Sequence, residues 1–150
     1  MLTMFANHAR FFSMAAISIP VVIEDLRKRR IPNWSCAALF ACGVGLGIGE
    51  GGLAGFGSAV AGAAAGFATF FVFYLLGAMG GGDVKLMAAC GSLAGFGGVL
   101  TATAMTAIAG ALMAMISLAI AAARHRRAES IAYAPAIVFG TLLALVGRTG

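Results

Sequence analysis

Met79-Gly80-Gly81-Gly82-Asp83-Val84-Lys85 holds the only charged residues between Leu53 and Ala123. The runs on either side are almost wholly Ala, Gly, Leu, Val, Met and Phe. From Val84 to Ala123 a single helix would be about 60 Å long at 1.5 Å per residue. That is twice the roughly 30 Å hydrocarbon core of a bilayer, so the stretch must fold back. Phe96-Gly97-Gly98 is the expected turn. Upstream, Leu53 to Ala78 is long enough to cross, and Glu50-Gly51-Gly52 separates it from an apolar stretch over Trp34–Gly49. The Met79–Asp83 segment is too rich in glycine to read as regular helix.

A second charged stretch, Asp25-Leu26-Arg27-Lys28-Arg29-Arg30-Ile31-Pro32-Asn33, closes the apolar run from Phe5, in which Pro20 is a possible kink. The basic cluster follows that run instead of preceding it, and no small-x-small cleavage site follows, so the run reads as a retained helix. The last apolar stretch covers about Ile131 to Gly147. The chain is 61% hydrophobic, with a mean hydropathy of +1.00. Both are far outside the range of soluble domains. The expected architecture is all-α: a polytopic membrane protein of about six transmembrane helices, forming one integral membrane domain over residues 1–150. The 22 glycines sit among apolar residues. Gly43/Gly47, Gly62/Gly66 and Gly91/Gly95 each form a small-xxx-small pair of the kind that lets helices approach closely.

Charge placement gives the orientation. Arg27, Lys28, Arg29, Arg30, Lys85, Arg124, Arg126 and Arg127 all fall in loops on one side of that topology. Lys and Arg in short loops favour the cytoplasmic face. Arg10, Glu50 and Arg148 fall on the other side, with both termini. The net charge of +5 therefore reads as a topology signal, and nucleic-acid binding is not expected. The Arg124–Arg127 cluster also suits anionic lipid. Cys36, Cys42 and Cys90 form no CxxC pair, and His8 and His125 have no partner at ligand spacing. No metal and no cofactor are expected.

This topology brings Asp25 and Asp83 to the same face. An ionisable group at the edge of a membrane span is costly and marks a functional site. Taken singly, Asp25 reads as a capping or ion-pairing residue and Asp83 as a helix N-cap. Together on one face they read as a dyad. Two close carboxylates share a proton, so one can activate water while the other protonates a carbonyl oxygen or leaving amine. Glu24 points about 100° away from Asp25 on a helix of 3.6 residues per turn. Gly80 and Gly82 would let an extended peptide approach Asp83. Lys85 either lowers the pKa of an aspartate or marks the interface. The other reading of the pair is a proton relay in a small transport subunit.

The Gly80-x-Gly82-Asp83 element has the form of the GxGD signature of intramembrane aspartyl proteases. With Asp25-Leu26-Arg27-x-Arg29-x-Ile31-Pro32-Asn33, the chain resembles the type IV prepilin peptidases, in particular the short group serving tight-adherence (Flp-type) pili. Ile131-Ala132-Tyr133-Ala134-Pro135-Ala136-Ile137 is similar to the segment that opens the family's last helix, usually with Gly where Ala134 stands. The resemblance implies a GxGD aspartyl protease bundle in the bacterial inner membrane, with its active site facing the cytoplasm. It implies an endopeptidase that removes the leader of prepilins or pseudopilins, with Asp25 and Asp83 as the catalytic pair. Larger members carry a cysteine-rich cytosolic insertion and methylate the new N-terminus. With no CxxC motif, this chain is expected to cleave without methylating. A basic leader gains nothing from the basic loops around such a site.

Overall fold

The computed structural model describes residues 2–28, 30–77, 79–123 and 133–147. Among them the fold is all helical, with no strand: α1 (Leu2–Lys28), α2 (Asn33–Leu75), α3 (Gly81–Ala123) and α4 (Ala134–Val146). Helices α2 and α3 are long and apolar enough to cross a membrane, with mean hydropathies of 1.7 and 1.9 in their most apolar parts. Only 28% and 22% of those parts are buried. Their apolar side chains, among them Leu53, Phe67, Val72, Leu100, Ile108 and Leu112, face outward. A soluble core helix would bury them; here the surroundings must be apolar.

Both long helices are broken at a glycine. Gly52 has φ 55° and ψ −128°, and Gly95 has φ 66° and ψ 175°. Positive φ with these ψ values is open essentially to glycine alone. Each break reverses the chain. A Cβ on Gly47 would lie 2.6 Å from the carbonyl oxygen of Gly55, and one on Gly91 would lie 3.3 Å from Val99 Cγ2. Residues eight apart in a straight helix are about 12 Å apart along the axis, so the two arms of each helix lie side by side. The first break falls within the expected Glu50–Gly52 turn. The second comes one residue before the expected Phe96–Gly98 turn, because Gly95 is the glycine that takes the positive φ.

Other expectations need adjusting. Helix α1 runs through Pro20 with no internal break. Helix α3 already begins at Gly81, so Gly81 and Gly82 are helical, and the irregular stretch is the turn before them. Arg29, Arg124–Arg127, Ile131–Ala132 and Arg148 lie outside the described residues.

The first arm of α3 is the centre of the bundle. Val84, Leu86, Met87, Ala89, Cys90, Leu93 and Ala94 are all buried. Glycines bring the neighbouring helices onto its backbone. Gly62 abuts the Gly91 carbonyl; a Cβ on Gly66 would sit 2.7 Å from the Met87 carbonyl, and one on Gly43 would sit 2.6 Å from Ser92 C. The glycine pairs noted in the sequence are thus the helix contacts themselves. On the far side, Gly140 of α4 packs on Thr106 of α3.

Helix α1 presents one stripe inward: Arg10, Met14, Ser18, Val21 and Asp25, all buried. At one end of this stripe Arg10 donates twice to Glu50, through Nε to Oε1 (2.8 Å) and Nη2 to Oε2 (2.9 Å). Its remaining nitrogen, Nη1, donates to the Leu93 carbonyl. A bidentate pair of this kind fixes geometry as well as charge. It ties α1 to both chain reversals. Asp25 lies about 22 Å further along the helix, at the opposite end of the bundle.

The glycine contacts give a direct test. Gly62→Ala drives a methyl into the backbone of Gly91 and Gly95, whereas Gly57→Ala meets nothing within 4 Å. Thermal unfolding in detergent should show Gly62→Ala destabilised by about 1–3 kcal/mol and Gly57→Ala close to wild type. Equal midpoints for the two variants would refute the close-packed glycine interface.

Candidate active site

Asp25 opens the last turn of α1, and its periodicity with Met14, Ser18 and Val21 carries it into the bundle. Asp83 lies in the first turn of α3. Fifty-eight residues apart in sequence, the two aspartates line one cavity of about 400 Å³. Arg30, Ile31, Asn33, Gly80, Gly81, Gly82 and Lys85 complete its lining. Both aspartates are buried, at 5% and 9% exposure, and close enough for their charges to interact.

Backbone N–H groups hold both carboxylates. Asp83 Oδ2 accepts from Gly80 N at 3.3 Å, while Asp83 N donates to the Gly80 carbonyl at 3.1 Å. This is one half of a capping box, the aspartate in the third helical position reaching back to the N-cap N–H; the other bond is a backbone one, because Gly80 has no side chain to receive the Asp83 N–H. Asp83 is therefore not the N-cap residue itself. Asp25 Oδ2 accepts from Ala134 N at 3.1 Å. Ala134 opens α4, whose own N-cap residue, Tyr133, supplies no side-chain bond. Asp25 caps that helix from another element, where the helix dipole also favours negative charge.

The other residues singled out in the sequence fall as follows. Glu24 turns away and pairs with Lys28 at 3.2 Å; it is not in the cavity lining. Lys85 is at the cavity mouth, its Nζ donating to Asn33 Oδ1 at 3.5 Å. Gly80 lies against Asp83, where an added Cβ would be 3.5 Å from Oδ2. Gly82 faces Ile31, with its Cβ position 3.4 Å from the Ile31 Cβ. Neither glycine has a positive φ. Their contribution is space in front of the carboxylates, not an unusual backbone.

Sequence reasoning missed two things. It took Arg30 as a topology determinant and gave Asn33 no role, yet the loop from α1 to α2 folds over the cavity and brings both to it. It also had no role for Ala134. Pro135 at the start of α4 signals a helix start, but nothing in the sequence says which acid receives the free N–H.

Such an arrangement can bind a short extended peptide and set two carboxylates on either side of a water or a carbonyl. Comparison with known proteins gives the family. The model of the type IV leader peptidase family (Peptidase_A24) matches residues 12–115, which include both aspartates and every residue of the cavity lining. The chain belongs to this family, and with its outward-facing apolar helices it is a peptidase of the membrane. No curated protein and no solved structure matches the chain.

The bond from Ala134 separates the structural role of Asp25 from any chemical one. Asp25→Leu removes the cap of α4 and should lower stability by about 1 kcal/mol. Asp25→Asn keeps an acceptor oxygen and should lose less. Thermal unfolding of the two purified variants checks the order, and equal losses would mean that the capping bond contributes nothing.

Proposed function

For this member of the type IV leader peptidase family, we propose an aspartic endopeptidase that removes the leader of Flp-type prepilins at the cytoplasmic face of the bacterial inner membrane. The observation that carries the reading is the convergence of Asp25 and Asp83 in one cavity floored by glycine. In the proposed reaction one carboxylate takes a proton from water as the water attacks the scissile carbonyl. The other, protonated, donates to the carbonyl oxygen; as the tetrahedral diol collapses, the first passes the proton taken from water to the leaving amine, and the second takes its proton back from a diol hydroxyl. No covalent intermediate forms. The backbone N–H groups of Gly80 and Ala134 keep each carboxylate oriented while the proton moves.

The topology belongs to the same proposal. The two arms of α2 and of α3 each cross the membrane, and with α1 and α4 they make six crossings in a single domain. Arg27, Lys28, Arg30 and Lys85 lie at the Asp25 end, and Arg10 and Glu50 at the other, which supports a cytoplasmic cavity. The reading assigns no methyl transfer to this chain; the mass of the released pilin N-terminus tests that point. Prepilins and pseudopilins are the proposed partners, and the lipid bilayer the solvent.

Cleavage of a co-expressed Flp-type prepilin, followed as a gel shift, tests the dyad. Asp25→Asn and Asp83→Asn should each reduce cleavage by at least about 10²-fold while inserting normally. If either variant cuts like wild type, that aspartate is not catalytic and the dyad is wrong. Gly80→Val places a branched side chain against Asp83 Oδ2. It should slow cleavage about tenfold or more, by filling space that the peptide needs, whereas Gly45→Val, on an open face, should leave the rate within about twofold.

A further inference from the structure

A second cavity, of about 300 Å³, lies between the second arms of α2 and α3 and the start of α4, and it shares no lining residue with the first. Two of its walls are chain neighbours of donors that hold the aspartates. Met79 precedes Gly80, whose N–H donates to Asp83, and Tyr133 precedes Ala134, whose N–H donates to Asp25. The Tyr133 ring rests on Gly110, where an added Cβ would lie 3.2 Å from Cε1. Met79 and Tyr133 are each only partly buried against the core, so an occupant of the cavity supplies the rest of their packing. Phe73, Ala107 and Ala111 line the same cavity and are exposed, so it opens sideways on the outward surface of the long helices. The Thr103 hydroxyl is bonded to the Val99 carbonyl of its own helix, and Thr106 Oγ1 lies against Gly140. What the cavity offers a guest is hydrocarbon and aromatic surface.

We propose that this cavity is a control site for the acyl chain of a membrane lipid, which supports Met79 and Tyr133 and through them keeps the Gly80 and Ala134 donors on the two carboxylates. The effect on rate rests on the peptidase reading above; the site itself does not. Its size and opening select the occupant. A cavity about 8 Å across is narrower than a helix, which measures about 10–12 Å with its side chains, so a partner's membrane helix does not fit inside. Its volume is at the lower end of the roughly 300–1,000 Å³ of small-molecule sites. Apolar cavities stay dry and take apolar guests, and the medium at this opening is acyl chain. Left empty, the cavity denies Met79 and Tyr133 contacts on one side, and both donors lose that support together. Met79 and Tyr133 are thus positioning residues, each acting through the backbone N–H of the residue that follows it.

The test places the protein in a fluorinated surfactant, whose chains mix poorly with hydrocarbon, and uses n-decane as the probe. On adding decane, wild type should gain about fivefold in kcat on a prepilin peptide, the effect of one hydrogen bond, with KM unchanged. Ala107→Leu and, separately, Ala111→Leu put a side chain of the protein itself into the cavity. Each should abolish the response and leave kcat at the decane-filled level. Tyr133→Phe, which keeps the ring, should keep the response, and Tyr133→Ala should lose it. No response in wild type, or an equal response in both Leu variants, overturns the proposal. So does a rise in KM with decane, which would assign the cavity to an apolar side chain of the peptide. If wild type cuts no peptide with or without decane, the peptidase reading fails on its own. The site is then judged by NMR on protein carrying methyl-labelled methionine. Nuclear Overhauser effects from decane to the Met79 methyl, lost in the Leu variants, uphold it; their absence in wild type, or their persistence in the variants, rejects it.

Discussion

The contact of Gly62 with the backbone of Gly91 is the constraint on which the other positions depend. Two helices whose backbones touch have no room for side chains between them. That closeness puts the first arm of α3 in the middle of the bundle, enclosed by α2, α1 and α4. Its N-terminus carries Asp83, so the centre of the fold and one wall of the candidate site lie on the same short arm. In an apolar solvent no hydrophobic force drives helices together, and close packing of small residues takes its place. The glycine content that would weaken a soluble helix is here the means of assembly.

The second organising feature is the stripe along α1. Its two ends hold opposite charges: Arg10 bound to Glu50 and the Leu93 carbonyl, and Asp25 bound to Ala134 N. Each is buried, and each has partners on other helices, as a buried polar group requires. Together they set how far α1 is displaced along its axis relative to α3, and so whether Asp25 comes level with Asp83. A one-residue change in that register would turn Asp25 by about 100° and put Glu24 or Leu26 in its place.

Each carboxylate accepts from a backbone N–H of another segment or turn: Asp83 from Gly80 and Asp25 from Ala134. Gly80 N and Ala134 N orient the two carboxylates without supplying a full charge.

The sequence by itself indicated the helical class, the apolar character of the long runs and the placement of Asp25 and Asp83 on one face; that they share a cavity is a result of the structure. These follow from local facts: the hydropathy of long runs, the scarcity of acids and a signature at fixed spacing. The chain reversal at Gly52 was legible for the same reason, because Glu50-Gly51-Gly52 interrupts the run. Near Gly95 several glycines compete within four residues, and only packing against Gly62 selects the one that turns. The tertiary structure alone decided that Ala134 binds Asp25, that Arg30 and Asn33 reach the cavity, and that Arg10 meets Glu50. The Arg10–Glu50 and Ala134–Asp25 bonds join residues 40 and 109 positions apart. Periodicity says which face a residue takes on its own helix; it carries no information about the axial register between helices, which the packing of small residues sets.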